Sequence, residues 1–110
     1  MPEAPPSQPA KIDVDRDRGV TVMFADGRTC FFANEELRRQ CPCAGCLGFR
    51  ERGEPVFPRP GSPAVARVEG AELVGGWGIN LRWNDGHAEG IYAFEGLRRW
   101  CEAEVGEPEG

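Results

Sequence analysis

The sequence has no long apolar run. Its 110 residues are 40% hydrophobic and 28% charged. No stretch approaches the roughly 18 apolar residues that a membrane-spanning helix requires. A chain of this length fits one small domain, because two separate pieces could not each bury an adequate core. We therefore expect a single globular domain and no membrane partner.

A basic excess is also missing. The 13 lysines and arginines are outnumbered by 18 aspartates and glutamates, which gives a formal net charge of −5. The arginine-rich stretch at residues 34–60 holds five arginines against four glutamates, so its net charge is only +1. Such a chain repels a phosphate backbone, and we do not expect nucleic acid as a partner.

The N-terminus lacks the basic and apolar regions of a secretory signal. Residues 1–10 instead contain four prolines and almost no large apolar side chains, so this segment is predicted to be a disordered tail. We expect a cytoplasmic protein. In that reducing compartment the five cysteines are not expected to form disulfides.

Alternating apolar residues predict strands within the folded part of the chain, residues 11–104. The dipeptides Asp26-Gly27 and Asp85-Gly86 are typical of tight hairpin turns. We identify no internal repeat. Strands are predicted at residues 12–14, 20–24, 29–32, 65–74, 77–83 and 91–92.

Two helices are predicted. Asn34 is a candidate N-cap, and the acidic residues after it favour a short helix over residues 35–40, just before the cysteine cluster. Apolar residues recur at helical spacing from Phe94 to Val105 and predict a C-terminal helix. Residues 47–63 contain four prolines and three glycines and are predicted to be an irregular surface loop. The predicted fold class is α+β, a small strand-rich domain with antiparallel hairpins, and residues 105–110 form an acidic tail.

Three cysteines fall within six residues, Cys41-Pro42-Cys43-Ala44-Gly45-Cys46. Thiolates at this spacing can converge on one tetrahedral metal ion, and Gly45 is expected to permit the bend that the backbone needs. The single histidine, His87, lies in a predicted hairpin turn and can supply the fourth ligand. Cys41, Cys43, Cys46 and His87 are therefore the candidate metal ligands.

The remaining cysteines and the arginine doublets have simpler interpretations. Cys30 and Cys101 occupy apolar positions of a strand and a helix, which favours core packing over metal binding. Arg38 and Arg39 can donate hydrogen bonds to metal-bound sulfurs, but a solvated helix face is the preferred interpretation. The same interpretation is preferred for Arg98 and Arg99.

Two segments, Leu37 to Cys46 and Trp83 to Tyr92, together with Leu97-Arg98, resemble a known family. They are similar to the gamma-butyrobetaine hydroxylase-like N-terminal domain, long catalogued as domain of unknown function 971. The second segment, Trp-x-Asp-Gly-His-x-x-Gly-Ile-Tyr, is the more specific. The resemblance extends over almost all of residues 11–101, and the chain is identified as a stand-alone member.

The resemblance implies a structural zinc site. In the hydroxylases that give the family its name, three cysteines and a histidine bind zinc away from the active site, so Cys41, Cys43, Cys46 and His87 are expected to do so here. A 2-oxoglutarate oxygenase needs two histidines and a carboxylate on its iron, and this chain has one histidine. We therefore expect no enzymatic activity. The expected function is a small intracellular zinc-binding module that acts as a protein-interaction or accessory domain, with an oxygenase as a possible partner.

An alternative comes from a second context of the same family. The domain also occurs fused to P-loop ATPases of the Mrp type that scaffold or deliver iron-sulfur clusters, and three cysteines suit such a cluster. The alternative function is thus an iron-sulfur cluster carrier or assembly accessory protein with such an ATPase as partner. His87 favours zinc, because a fourth protein ligand closes a tetrahedral site.

Overall fold

The computed structural model describes residues 8–58 and 60–105. Within these residues, three consecutive strands form each of two antiparallel sheets, ordered β1-β2-β3 and β4-β5-β6. The fold is α+β, as predicted, and no helix of the described part is long and apolar enough to cross a membrane. The elements are β1 (Pro9–Asp15), β2 (Gly19–Phe24), β3 (Thr29–Ala33), α1 (Asn34–Arg39), α2 (Ala44–Glu51), β4 (Val68–Val74), β5 (Gly78–Trp83), β6 (Gly90–Ala93) and α3 (Phe94–Val105).

The central strand of each sheet supplies the core. Along β2 and β5 every second side chain is buried, as the predicted two-residue period requires. The ends of the strands lie within three residues of the predicted ones. The turns after these strands place Gly27 and Gly86 at φ of +93° and +87°, a conformation that glycine adopts at little cost. The main core comprises Val20, Val22, Phe24, Cys30, Phe32, Leu37, Phe57, Ala66, Val68, Ile79, Leu81, Trp83, Tyr92, Phe94, Leu97 and Cys101.

The two chain ends are described only in part. Strand β1 begins at Pro9, two residues before the predicted start of the folded part. The remainder of the predicted N-terminal tail, residues 1–7, lies outside the described residues, as do residues 106–110 of the predicted acidic tail.

Helix α1 begins one residue earlier than predicted, and Asn34 is not its N-cap. Ala33 occupies the cap position without a side-chain hydrogen bond. The side-chain amide of Asn34 instead donates to the carbonyl of Arg16 at 2.8 Å. This buried contact ties the start of the helix to the β1–β2 turn, so the amide serves tertiary structure in place of capping.

Helix α2 covers residues 47–51, which we predicted to be irregular. The Sγ atom of Cys43 caps this helix by accepting the backbone N–H of Cys46 at 3.4 Å. Gly45 lies in the first turn without a positive φ, so the bend that we predicted there does not depend on glycine. Two glycines make the helix weak by propensity, and tertiary contacts stabilise it. The rest of the predicted loop has no regular secondary structure in its described residues.

Cys30 and Cys101 form a disulfide, so the prediction that no cysteine is oxidised is wrong for this pair. Both side chains belong to the core, as predicted. The inward face of β3 meets the inward face of α3 with a Cα–Cα distance of 6.0 Å, a spacing that a disulfide spans readily. The sequence pattern placed each cysteine inside but did not indicate that the two are neighbours.

The two halves of the chain share one topology, although we identified no repeat in the sequence. Each half consists of three antiparallel strands and a helix, with the same pairing register and an irregularity at the same place in its first strand pair. This register aligns residues 19–41 with 78–101, with one extra residue in the second half. Nine aligned pairs are identical: Gly19/Gly78, Asp26/Asp85, Gly27/Gly86, Ala33/Ala93, Glu35/Glu95, Leu37/Leu97, Arg38/Arg98, Arg39/Arg99 and Cys41/Cys101.

Candidate metal centre

The four predicted ligands meet at one point. The Nε2 atom of His87 lies 3.1 Å from the Sγ atom of Cys41, 3.4 Å from that of Cys43 and 3.6 Å from that of Cys46. All four ligand atoms lie within 4.8 Å of one another. The structure thus contains a Cys3His group that is compact enough to hold a metal ion.

The spacing fits a single tetrahedral ion. With Zn–S near 2.3 Å and Zn–N near 2.0–2.1 Å, tetrahedral geometry separates sulfur and nitrogen ligands by about 3.5 Å. The observed sulfur-to-nitrogen distances of 3.1–3.6 Å bracket that value. Soft sulfur with one imidazole is also the donor set that zinc takes in closed structural sites.

Cys41 reaches the site because glycine faces it. It follows α1 and is fully buried. A Cβ atom built on Gly90 would lie 2.5 Å from the Sγ atom of Cys41, so any larger residue there would displace the sulfur. Glycine in β6 therefore keeps the space that this thiol occupies.

Helix α2 supplies the other two sulfurs. Cys43 precedes the helix and Cys46 lies in its first turn, so the residue pair that caps the helix also supplies two of the candidate ligands. Arg50, near the end of the helix, donates to the carbonyls of Arg39 at 2.9 Å and Cys41 at 2.8 Å. These bonds satisfy carbonyls at the C-terminal end of α1 and join the two helices on either side of the site.

The β5–β6 turn carries His87 to the sulfurs. Asp85 accepts the backbone N–H of His87 at 3.1 Å, and the backbone N–H of Trp83 donates to the carbonyl of His87 at 2.9 Å. A hairpin turn with both bonds is a rigid support for an imidazole. The turn was predicted from Asn84-Asp85-Gly86, and its position beside the cysteines is a tertiary feature.

Arg38 is part of the site, contrary to the preferred prediction of a solvated helix face. Its side chain is only 4% exposed. The guanidinium donates to the Oδ2 atom of Asp85 from Nη2 at 2.9 Å and from Nε at 3.1 Å, and to the Sγ atom of Cys46 from Nη1 at 3.4 Å. Arg98 is likewise 10% exposed and bonded to Asp26, whereas Arg39 and Arg99 have exposed side chains as predicted. The repeat aligns both arginine doublets, Arg38-Arg39 with Arg98-Arg99, so no sequence signal separates the buried arginine of each doublet from the exposed one.

The electrostatic environment differs among the ligands. Burial raises the pKa of Cys41 to about 12 in the metal-free chain. Desolvation acts in the same direction on Cys43, but hydrogen bonds from the Cys46 backbone and from neighbouring thiols outweigh it and lower the pKa of Cys43. Burial, together with the Arg38 charge, lowers the pKa of His87. The imidazole is therefore neutral near pH 7, which is the form that binds metal.

Comparison with known proteins places the chain in a family. The family model described as "Gamma-butyrobetaine hydroxylase-like, N-terminal" matches residues 12–98. The chain belongs to this gamma-butyrobetaine hydroxylase-like N-terminal family. The resemblance inferred from residues 37–46 and 83–92 is thereby confirmed.

Two relatives show how far the likeness to this family extends. A gamma-butyrobetaine dioxygenase of Pseudomonas sp. (strain AK-1) is 34% identical over 74 residues, which cover 67% of this chain and 19% of the dioxygenase. The crystal structure of a protein of unknown function of the DUF971 family from Acidithiobacillus ferrooxidans matches with a TM-score of 0.68 and 31% identity, over 88% of this chain and 96% of that one. This chain therefore spans about a fifth of the dioxygenase and nearly all of the DUF971 protein.

Proposed function

We propose that this protein is a zinc-binding module whose Cys3His site is structural and does no chemistry. The observation that carries the proposal is the convergence of three sulfurs and one imidazole nitrogen within 4.8 Å. Four protein ligands fill the coordination sphere of a tetrahedral ion, and a closed sphere leaves no position for a substrate or an activated water. The zinc contributes folding free energy to a domain whose core is small.

The compact spacing favours a single ion over an iron-sulfur cluster. Cluster ligands bond to different iron atoms and consequently lie further apart than ligands of one ion. The sulfur-to-nitrogen distances of 3.1–3.6 Å match the spacing around one ion and support this choice. Cluster carriage is therefore the competing outcome of the experiment below.

The test is metal analysis of protein purified anaerobically without added metal. We expect a colourless protein with about one zinc per chain, as four ligands predict. The Cys43→Ser variant is expected to contain substantially less zinc. A brown protein with iron and acid-labile sulfide would contradict the zinc assignment and support cluster carriage. Metal-free wild-type protein that stays metal-free on zinc titration would refute the zinc-binding function.

We further propose that the module acts through a protein partner. A metal site without an open coordination position contributes shape and stability, so the remaining role is binding. The similarity to part of a dioxygenase supports an oxygenase as a first candidate, and a P-loop ATPase of iron-sulfur assembly is the second. Co-purification with each candidate under native conditions tests both, and zinc removal is expected to abolish any binding that needs the folded site.

We propose a cytoplasmic location, and the state of the cysteines tests it. The three ligand cysteines are free thiols in this structure, which agrees with a reducing compartment, while the Cys30–Cys101 disulfide is typical of an oxidising one. Alkylation of thiols at the moment of cell lysis measures the state of this pair. Reduced Cys30 and Cys101 would support the cytoplasm, and a fully oxidised pair would oppose it.

A further inference from the structure

Both halves of the molecule contain the same clamp between a helix and the opposite hairpin. In the first half of the chain, Asp26 in the β2–β3 turn accepts two hydrogen bonds, at 2.8 and 2.7 Å, from Arg98 of α3. In the second half, Asp85 in the β5–β6 turn accepts two, at 2.9 and 3.1 Å, from Arg38 of α1. Each aspartate also accepts a backbone N–H within its own turn. The clamp thus docks each helix on the other half, whether or not a metal site is nearby.

A second link to the opposite half lies at aligned positions, within α3 in one case and just after α1 in the other. Cys101 of α3 is joined to Cys30 of β3 by the disulfide. The aligned Cys41 faces Gly90, which aligns with Cys30, and its free thiol lies instead 3.1 Å from His87. A covalent bond in one half therefore corresponds to a metal ligand in the other.

The two clamps differ in a further hydrogen bond that each arginine donates. The Nε atom of Arg98 donates to a carboxylate oxygen of Glu102 at 2.8 Å. The Nη1 atom of Arg38 donates to the Sγ atom of Cys46 at 3.4 Å. A guanidinium is only a donor and bonds most strongly to anions; Arg98 gives this further bond to a carboxylate from Nε, and Arg38 gives it to the sulfur of Cys46 from Nη1. That environment suits a thiolate.

We propose that Arg38 is a positioning residue of the metal centre, acting on two ligands from different elements. This inference rests on the proposed metal-binding function. The guanidinium donates directly to Cys46 of α2 and holds, through Asp85, the turn that presents His87. Three thiolates around a divalent ion would leave one net negative charge, and the hydrogen bond that Arg38 donates stabilises that charge at the Cys46 sulfur, while Asp85 balances the charge of the guanidinium itself. Arg38 thus keeps the ligand set assembled and slows metal loss.

The aligned clamp provides a matched control for the test. Arg38→Gln and Arg98→Gln each remove one guanidinium from an arginine–aspartate clamp, but only the first removes a donor to a ligand. Zinc affinity is measured by competition with a chromophoric chelator, and thermal unfolding in excess chelator measures the stability that each metal-free variant loses. In a second measurement, cobalt(II) is substituted for zinc, and the thiolate-to-metal charge-transfer band is recorded in the absorption spectrum of each variant.

The expected result is a difference between the variants. Arg38→Gln is expected to weaken zinc binding by about 10–100-fold, the usual effect of losing a hydrogen-bonding partner of a metal ligand, and to shift the cobalt band. Arg98→Gln is expected to destabilise the metal-free chain without changing either readout. Equal zinc affinities for the two variants, with an unshifted cobalt band, would overturn the proposal and leave Arg38 a structural clamp.

A second pair of variants covers the case in which the glutamine variants do not fold. Arg38→Lys and Arg98→Lys keep the positive charge but lose the fork that bonds two partners at once. Arg38→Lys is expected to bind zinc more weakly than Arg98→Lys, and the reverse order would overturn the proposal. If wild-type protein binds no zinc, the proposed function fails and this inference fails with it. If wild type binds zinc and the pairs do not differ, only this inference fails.

Discussion

Replacement of His87 by alanine removes one of the four ligand atoms and little else. The imidazole is half-buried and is not among the core side chains, while its backbone bonds to Asp85 and Trp83 remain available to alanine. The variant should therefore fold as the wild type does when metal is absent. Its defect should be confined to metal binding and to the stability that metal confers.

The size of the defect follows from the number of ligands. Structural zinc sites bind with about 10–16 kcal/mol, so an equal share for each of four ligands is roughly 2.5–4 kcal/mol. This loss corresponds to a zinc affinity lower by roughly 10²–10³-fold, at about 1.4 kcal/mol for each factor of ten. With both proteins saturated, the melting temperature should fall by at least about 10 °C, because 1 kcal/mol shifts a domain of this size by about 4–8 °C.

The assay compares wild type, His87→Ala and Arg28→Ala, each with zinc and with excess chelator. Arg28 is the residue aligned with His87 in the first half and is exposed in a turn of the same kind, so it controls for changes to a hairpin turn. We expect the three proteins to have equal melting temperatures in chelator. In zinc, only His87→Ala is expected to have a lower melting temperature than wild type. Unchanged zinc content in His87→Ala, or an equal loss in Arg28→Ala, would refute its assignment as a ligand.

Three further predictions test the surroundings of the site. Gly90→Ala is expected to displace the Cys41 sulfur and lower the zinc content. The control is Gly45→Ala, whose added Cβ meets no atom within 4 Å; it should keep zinc, and its free energy of unfolding in denaturant should rise by up to about 1 kcal/mol. Equal zinc content in the two variants would count against the steric argument. Cys30→Ala should lower the free energy of unfolding by about 4 kcal/mol, because the disulfide closes a separation of 71 residues, and a loss near zero would contradict this. Acid should release the metal, since protons compete for the ligands: the raised pKa of Cys41 favours release and the lowered pKa of His87 opposes it. Bound zinc titrated against pH should therefore fall as the pH is lowered, and a zinc content that does not depend on pH would contradict the expectation.

Local patterns were enough to predict most of the regular structure. Alternating apolar residues predicted the strands, the Asp-Gly pairs predicted both hairpin turns, and residues 94–105 form the C-terminal helix as predicted. Helix α2 was missed because two glycines and nearby prolines argue against a helix. Its contacts outside the helix, such as the Arg50 bond to the Cys41 carbonyl, compensate for that low propensity.

The internal repeat was missed for a related reason. Identical residues are scattered between the halves, and several buried positions hold different apolar residues, as in Val22 and Leu81. A shared pairing register makes the alignment evident, since it fixes which residues correspond. With the register known, Arg38 and Arg98 fall at one position of the repeat, and so do Cys41 and Cys101.

The strands, the hairpin turns, the family and the four candidate ligands could all be predicted from the amino-acid sequence. These depend on residue type and short spacing, which are local properties of the chain. The tertiary structure alone decided that Cys30 meets Cys101, that Gly90 makes room for Cys41 and that Arg38 is buried between Asp85 and Cys46. Each of these contacts joins residues of different elements. Their meeting depends on how two helices pack on opposite hairpins, which no local pattern specifies.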